Sequence, residues 1–264
     1  MRLLVTGGTG IAGEAVVGLA LKQGHEVAVL SRKATLEAAD GVRAVQGNVT
    51  DAATLDRALE GIDAVIDCVN VTTTSRRKAS DFFTAAVRSV VRAGANHGLQ
   101  RYVLLSIVGV DTFPLGYYQA KLAQEKALEG AAEELRVGHT IVRATQFHDF
   151  AGQMVKRSRM GPLAFVPDLR VQPVDVSEVA ERLLDAAANG PQGHAPELAG
   201  PLPEDLLDMS RALVERRGEH VRVLPLPLPP ATARANRERR LIPQGGVRGQ
   251  ITFAEWLEKQ PATS

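Results

Sequence analysis

The fold is decided by the stretch Arg2-Leu3-Leu4-Val5-Thr6-Gly7-Gly8-Thr9-Gly10-Ile11-Ala12-Gly13. A short apolar run leads into glycines spaced by three, and a helical pattern of apolar residues then continues as far as Gly24. Gly7 permits a tight turn, Gly10 lets the backbone approach a pyrophosphate, and Gly13 lets helix and strand pack closely. The free N–H groups of the helix N-terminus favour a phosphate. This pattern predicts a dinucleotide-binding corner, and the alternative is a strand-to-helix turn without a ligand. The candidate cofactor contacts in it are Gly7, Thr9, Gly10, Ile11 and Gly13.

The composition is that of an ordinary globular chain. Its 264 residues suffice for one enlarged α/β domain, or for one domain with a small lobe. The formal net charge of +1 gives no reason to expect a nucleic-acid partner or a lipid surface. Cys68 is the single cysteine, which excludes an internal disulfide and a cysteine-built metal cluster. We expect no metal site, and we interpret Cys68 as a small buried hydrophobe.

The sequence offers no targeting or membrane segment. No apolar stretch reaches the ~18 residues of a membrane span. Met1 directly precedes the first predicted strand, which leaves no room for a signal peptide. We therefore expect a cytoplasmic protein without a membrane partner.

A basic turn follows the second predicted strand, residues 26–30. NAD-selective folds place an acidic residue at this position, where it binds the ribose 2′-hydroxyl. This chain instead has Ser31, Arg32 and Lys33, a hydroxyl and two cations that suit a 2′-phosphate. The pattern predicts a preference for NADP(H) over NAD(H); the alternative is a solvated basic turn.

The third and fourth predicted strands end in polar loops. Residues 42–46 lead into the loop 47–51, where Asn48 and Val49 are candidates for adenine contact and Thr50 or Asp51 caps the next helix. Residues 64–69 form a nearly continuous apolar run, as in a strand buried on both faces. That run ends at Asn70, at the sheet edge where ligands bind in open α/β folds. Asp67 interrupts it, and the pattern gives no reason for its presence.

A predicted helix over residues 80–95 and a strand over residues 102–105 complete the series, and the strand delivers Ser106 to the same edge. Five strand–helix units with short connections predict an α/β fold with a doubly wound parallel sheet.

Tyr117 and Lys121 are four residues apart in a helical pattern, which places both on one helix face. A phenol titrates at about pH 10, and a neighbouring cation moves its pKa toward the working range. Lys121 can also reach a nicotinamide ribose, and Ser106 can donate a hydrogen bond to the same substrate oxygen. The Tyr-x-x-x-Lys spacing is common by chance, and its place after the fifth strand gives it weight.

The chain resembles the short-chain dehydrogenase/reductase superfamily, and within it the atypical NmrA-like branch. The segments that carry the resemblance are residues 6–13, 47–51, 105–111, 116–121, 142–147 and 173–180. The resemblance implies a Rossmann-type fold that holds NADP(H) along the strand ends, with a small C-terminal lobe over the substrate. It also implies that Tyr117 exchanges a proton with the substrate oxygen, Lys121 lowers the pKa of Tyr117, and Ser106 orients the carbonyl. Asn48 stands where many relatives have aspartate, and some NmrA-like proteins bind the dinucleotide without catalysing a reaction.

The rest of the chain suggests the domain organisation and the candidate substrate contacts. We expect a dinucleotide-binding Rossmann core over residues 1–145, and a mixed segment over residues 146–264 that completes the core and forms the substrate lobe. His148 either contacts substrate or caps the helix that runs through Met154. The candidate substrate contacts are Val108, Gln146, Phe147 and His148.

These observations predict an NADP(H)-dependent oxidoreductase with Tyr117 as the proton donor. The mostly apolar candidate walls suit a small carbonyl, quinone-like or conjugated substrate. One alternative is a non-catalytic NADP(H)-sensing regulator, and a second is an enzyme of the nucleotide-sugar epimerase or dehydratase type. We expect a small-molecule substrate and a monomer or homodimer.

Overall fold

The structure is a computed structural model that describes residues 1–32, 41–71, 73 and 75–262. It contains two compact units. The first unit comprises Met1–Ser106, Gly116–Arg143 and Val176–Ala195, and the second comprises Ile107–Leu115, Ala144–Asp175 and Pro196–Ser264.

In chain order the elements are β1 Arg2–Thr6, α1 Ile11–Lys22, β2 Glu26–Ser31, β3 Val42–Gln46, α2 Ala52–Leu59, β4 Ala64–Asp67, α3 Arg76–Asn96, β5 Arg101–Ile107, α4 Gly116–Leu135, β6 Gly138–Ala144, α5 Phe150–Ser158, β7 Arg159–Met160, β8 Leu163–Pro167, β9 Arg170–Val171, α6 Val176–Ala188, β10 Gly193–His194, β11 Leu198–Ala199, β12 Glu204–Asp205, α7 Leu206–Arg216, β13 Arg222–Leu226, α8 Pro230–Arg237, β14 Val247–Arg248 and α9 Phe253–Glu258.

The first unit is built on a sheet with the strand order β6-β5-β4-β1-β2-β3. The pairs β1–β2, β1–β4, β2–β3 and β4–β5 are parallel. Leu3, Leu4 and Val5 are all fully buried, as expected of a central parallel strand covered on both faces. The helices pack as α1 with α6, and as α2 and α4 with α3. The predicted α/β fold with a mostly parallel sheet is confirmed.

Side-chain caps fix where the helices of this unit begin. Asp51 caps α2 as predicted, because its carboxylate accepts a 2.9 Å hydrogen bond from the backbone N–H of Thr54. Helix α3 begins earlier than residue 80, because the hydroxyl of Ser75 accepts a hydrogen bond from the backbone N–H of Lys78. The start predicted from apolar spacing alone was therefore wrong by one turn.

Strand β4 ends at Asp67, two residues before the predicted end. Oδ1 of Asp67 accepts a 2.9 Å hydrogen bond from the backbone N–H of Val69. This local bond occupies the donor that a continuing strand would offer to its neighbour. The carboxylate thus turns the chain at the edge of the sheet.

The second unit has shorter elements. Its three-stranded sheet has the order β13-β8-β7, with β13 parallel to β8 at the edge. Pro225 lies in this edge strand, a position that tolerates the missing N–H of proline. Strand β9 spans only two residues and pairs with β12 in an antiparallel arrangement.

Within the described ranges, no helix combines the length and hydropathy needed to cross a membrane.

Candidate functional site

The glycine corner at the start of the first unit has the geometry that the motif predicts. Gly7 follows β1 with φ +71°, in the left-handed region that favours glycine. A Cβ at Gly7 would lie 2.6 Å from the carbonyl oxygen of Cys68, and one at Gly13 would lie 2.6 Å from the Cα of Gly8. Both positions therefore require glycine. Gly10 is the N-cap residue of α1 and places no capping side chain over its free N–H groups.

A cleft of about 210 Å³ opens at the carboxyl ends of β1 to β4. Eight of the predicted cofactor contacts line it: Gly7, Thr9, Gly10, Ser31, Arg32, Asn48, Val49 and Asn70. Gly13 does not line the cleft, because it is buried in α1 where the helix meets the glycine turn. Ile11 is 40% exposed at the first position of α1. Lys33 lies outside the described residues.

Phe82 is a cleft residue that the sequence pattern does not identify. Its side chain lines the same cleft from α3 and also packs against the core. The neighbouring Phe83 is fully buried. Two adjacent phenylalanines on a helix necessarily face different directions, which is the signal that separates their roles.

The end of β2 carries two of the candidate cofactor contacts, Ser31 and Arg32. Ser31 is buried and Arg32 is exposed, and both line the cleft. Neither is acidic. Among the residues that the structure describes, Arg32 has no ion-pair partner. Its guanidinium is therefore available to an anionic ligand.

Asn70 connects the cleft to Tyr117. The Tyr117 hydroxyl donates a 2.9 Å hydrogen bond to Oδ1 of Asn70, which also accepts 2.7 Å from the backbone N–H of Val71. The Tyr117 ring meets the ring of Phe83 edge-on at a centroid distance of 6.2 Å. The phenol is thus held at the sheet edge by a polar contact and an aromatic contact.

Lys121 lies one turn further along α4 and is only 3% exposed. Its Nζ donates to the carbonyl oxygen of Leu105 at 2.7 Å and to Oε1 of Gln124 at 2.6 Å. It also lies 5.2 Å from the centroid of the Phe83 ring. Burial lowers the pKa of Lys121 to about 8, while the charge of Asp67 acts in the opposite direction. Lys121 does not line the described cleft.

Ser106 stands near the carboxyl end of β5 and is 2% exposed. Within the described part of the chain, its Oγ has no hydrogen-bond partner. A buried hydroxyl without a partner costs free energy that a bound ligand oxygen can restore. Ser106 is therefore available for a ligand.

Asp67 has an environment that its sequence context did not reveal. It is 2% exposed, and its carboxylate accepts hydrogen bonds from the hydroxyl of Thr6 at 2.8 Å and from that of Tyr102 at 2.7 Å. Burial, with this carboxylate next to it, raises the pKa of the Cys68 thiol. Cys68 therefore stays a neutral thiol. It is half-buried and lines the cleft, so it is more accessible than the expected buried hydrophobe.

The candidate substrate contacts lie in the second unit. Val108 is buried, and its N–H donates 3.0 Å to the carbonyl oxygen of Ala144. The Gln146 carbonyl accepts a 2.9 Å hydrogen bond from the N–H of Val174, which also forms a parallel bridge with Phe147.

His148 is fully buried within the second unit. Its ring lies 5.9 Å from the ring of Phe253 and 5.7 Å from that of Trp256, and Nε2 is 3.1 Å from the carbonyl oxygen of Ile251. The N-cap of α5 is Asp149. The His148 ring therefore packs against the C-terminal helix α9.

The model of the NAD(P)H-binding family matches residues 7–187, more than half of the chain. The chain belongs to this NAD(P)H-binding family. The match begins at Gly7, so it includes the glycine corner, and it extends through α6. The predicted membership of an NAD(P)H-binding family is thereby confirmed.

Two curated relatives illustrate the range of this NAD(P)H-binding family. The chain is 36% identical over 117 residues to the photosystem II assembly factor Ycf39 of Synechocystis sp., which covers 43% of this chain and 36% of that protein. It is 31% identical over 209 residues to the (4-alkanoyl-5-oxo-2,5-dihydrofuran-3-yl)methyl phosphate reductase of Streptomyces griseus, which covers 75% of this chain and 68% of the reductase. The chain spans between 31% and 49% of the length of the first curated relatives that it matches.

A solved structure shows the same fold. DesIV, a dTDP-glucose 4,6-dehydratase from Streptomyces venezuelae with NAD and TYD bound, has a TM-score of 0.72 and 19% identity. The match covers 97% of this chain and 94% of that one.

Proposed function

We propose that this protein is an NADP(H)-dependent oxidoreductase that reduces a small carbonyl, quinone-like or conjugated substrate. One observation carries the proposal. The glycine cleft, the Tyr117 hydroxyl and the unpartnered Oγ of Ser106 all belong to the carboxyl edge of the sheet in the first unit. A nicotinamide cofactor, a proton donor and a carbonyl ligand need these three features.

The residues of the cleft fit a dinucleotide phosphate. Gly7 and Gly13 allow the close backbone packing of the corner, because a Cβ at either position would clash with neighbouring backbone. The N-terminus of α1 presents N–H groups without a capping side chain. Ser31 and Arg32 suit a 2′-phosphate, which supports NADP(H) over NAD(H). The bound nicotinamide supplies the hydride chemistry.

The protein supplies the proton and the orientation of the substrate. In the proposed role, Tyr117 donates its phenolic proton to the substrate oxygen as negative charge develops there. Lys121, a buried cation below about pH 8, stabilises the phenolate that remains. Ser106 donates a hydrogen bond that orients the same oxygen. The small-molecule reductase among the relatives supports this chemistry.

A second candidate is a dinucleotide-binding protein that senses NADP(H) without turnover. The similarity to a photosystem assembly factor favours it. The Tyr117 hydroxyl is also already bound by Asn70, an arrangement that does not depend on a substrate. The fold likeness to a dTDP-glucose dehydratase keeps the epimerase or dehydratase type as a further outcome of the test.

A turnover screen tests the proposal. Purified protein is mixed with NADPH and a panel of small carbonyls, quinones and enones, and the absorbance of the reduced nicotinamide is followed. We expect at least one compound to be reduced, and Ser106→Ala to lower the rate. NADPH binding without oxidation by any compound would support the sensing protein. A tightly held, recycled cofactor after purification would support the epimerase or dehydratase type.

A further inference from the structure

A buried polar network lies beneath the candidate site, and the proposed chemistry does not use it. At its centre, both oxygens of Asp67 are bonded. Oδ1 accepts from the hydroxyl of Thr6 and the backbone N–H of Val69, at 2.8 and 2.9 Å. Oδ2 accepts from the hydroxyl of Tyr102 and the amide of Gln124, at 2.7 and 3.2 Å. All four of these donors are electrically neutral.

The network is as deeply buried as the hydrophobic core. Thr6 is 1% exposed, Asp67 2%, and Tyr102 and Gln124 0%. Burial and the Asp67 charge raise the pKa of Tyr102, so the phenol remains a donor to the carboxylate. A buried carboxylate is tolerated when donors and a nearby cation compensate for lost hydration.

That cation is Lys121, and Gln124 lies between the two charges. Nε2 of Gln124 donates to Asp67, and its Oε1 accepts from Lys121 Nζ at 2.6 Å. The orientation of the amide is thereby fixed, because the reverse orientation would place oxygen against carboxylate and N–H against ammonium. Gln124 thus joins an anion and a cation through one neutral group.

We propose that Asp67 and Gln124 are positioning residues that hold the Lys121 ammonium in place and keep it charged. Their importance for turnover rests on the proposed function. Two of the three N–H groups of Lys121 bond to Leu105 and Gln124. These bonds anchor the ammonium one helical turn from Tyr117. Because Gln124 lies between them, Asp67 attracts the ammonium without forming a direct ion pair with it.

Other charged and titratable groups also act on Lys121. Glu125 lies on the same helix, but its carboxylate is paired with Arg143 of β6 at 2.7 Å. Cys68 follows β4 and stays protonated, as does Tyr102 of β5. Of the two carboxylates that act on Lys121, Asp67 is therefore the one without a direct ion pair to a described cation. Removal of its charge should lower the pKa of Lys121.

The titration of Lys121 measures this effect without cofactor or substrate. Protein labelled with ¹³C at the lysine Cε is followed by NMR across pH, and the Lys121 signal is assigned by its loss in Lys121→Arg. We expect Asp67→Asn to move the midpoint down from about 8 by about 1 unit, the lower end of the effect of a nearby opposite charge. Gln124→Met should shift it in the same direction, because the ammonium loses an acceptor.

The matched control is Gln119→Met, on the same helix, where the exposed amide accepts a 2.7 Å bond from Arg76. We expect it to leave the Lys121 midpoint unchanged. Thermal unfolding reports whether Asp67→Asn folds. If it does not fold, the titration of Lys121 in Gln124→Met becomes the test of the proposal. An unchanged midpoint in a folded Asp67→Asn or in Gln124→Met would overturn the proposal. Because this titration needs no turnover, its outcome is independent of whether the oxidoreductase proposal fails.

Turnover adds a second readout. With any substrate from the panel, Gln124→Met should lower kcat with little change in the KM for NADPH, and it should shift the alkaline limb of the pH profile to lower pH. A merely structural role would lower stability and leave that limb in place.

Discussion

The hydroxyl of Tyr117 donates a 2.9 Å hydrogen bond to Oδ1 of Asn70. Tyr117 lies in the first turn of α4, and Asn70 follows β4 and lines the cleft. One amide therefore contacts both the proposed proton donor and the proposed cofactor site. The two sites that the sequence predicted separately share a residue.

Removal of the Tyr117 hydroxyl should separate catalysis from cofactor binding. General acid catalysis contributes about 10²–10⁴-fold, so Tyr117→Phe should lower turnover by that factor and leave NADPH affinity unchanged. Steady-state kinetics and a fluorescence titration measure the two quantities. Tyr118→Phe, one residue along the helix, is the control and should retain activity. Full activity in Tyr117→Phe would remove Tyr117 from the mechanism.

Gly13 and Gly18 both lie on α1, and the same substitution to alanine at each tests the role of the glycine corner. A Cβ at Gly13 meets the backbone of Gly7 and Gly8. Beyond the adjoining residues and backbone of α1, no described atom lies within 4 Å of one at Gly18. Gly13→Ala should cost about 1–3 kcal/mol of stability through overpacking and weaken NADPH binding. Gly18→Ala should raise the free energy of unfolding by about 0.5–1 kcal/mol and leave NADPH binding unchanged. Urea unfolding and NADPH titration of both variants check this, and equal behaviour would contradict it.

Arg32 should govern the choice between the two cofactors. Hydrogen bonds to charged groups are worth about 1.5–3 kcal/mol, so Arg32→Glu should weaken NADPH binding by about 10- to 100-fold and leave NADH binding little changed. Arg77→Glu makes the same charge change at the highly exposed start of α3. Its NADPH affinity should remain near that of wild type. A similar loss in both variants would indicate only a general effect of charge.

The protonation of Lys121 predicts a pH profile. Burial lowers its pKa to about 8, so the cation is present below that pH and is lost as the pH rises through it. The rate of substrate reduction should therefore fall above about pH 8 with a single ionisation. A kcat profile from pH 6 to pH 10 measures this. A rate that stays flat to pH 10 would show that the charge of Lys121 is not needed.

Most of the first unit could be predicted from the sequence because its signals are local. Apolar runs bounded by glycines located β1 to β5, and Asp51 was a recognisable cap. The network around Asp67 could not be predicted. Its donors come from β1, β5 and α4, at positions that only the tertiary fold brings together. The one available sign was a carboxylate within an otherwise apolar strand.

The second unit was harder to predict because its strands are short. A pair such as β9 and β12 has two residues in each strand, too few to show an alternating pattern. The sequence left two roles for His148, substrate contact and helix capping. Its burial against Phe253 and Trp256 depends on a helix about 100 residues further along the chain, a contact that local pattern does not reveal.

The central claim is that the cleft at residues 7–70 binds NADP(H), and a fluorescence titration of the purified protein tests it most directly. NADPH and NADH are each titrated, and the change in their emission on binding is followed. We expect saturable binding of both, with NADPH bound about 10-fold more tightly or better, as charge-assisted contacts to the 2′-phosphate require. Binding of neither cofactor would contradict the account.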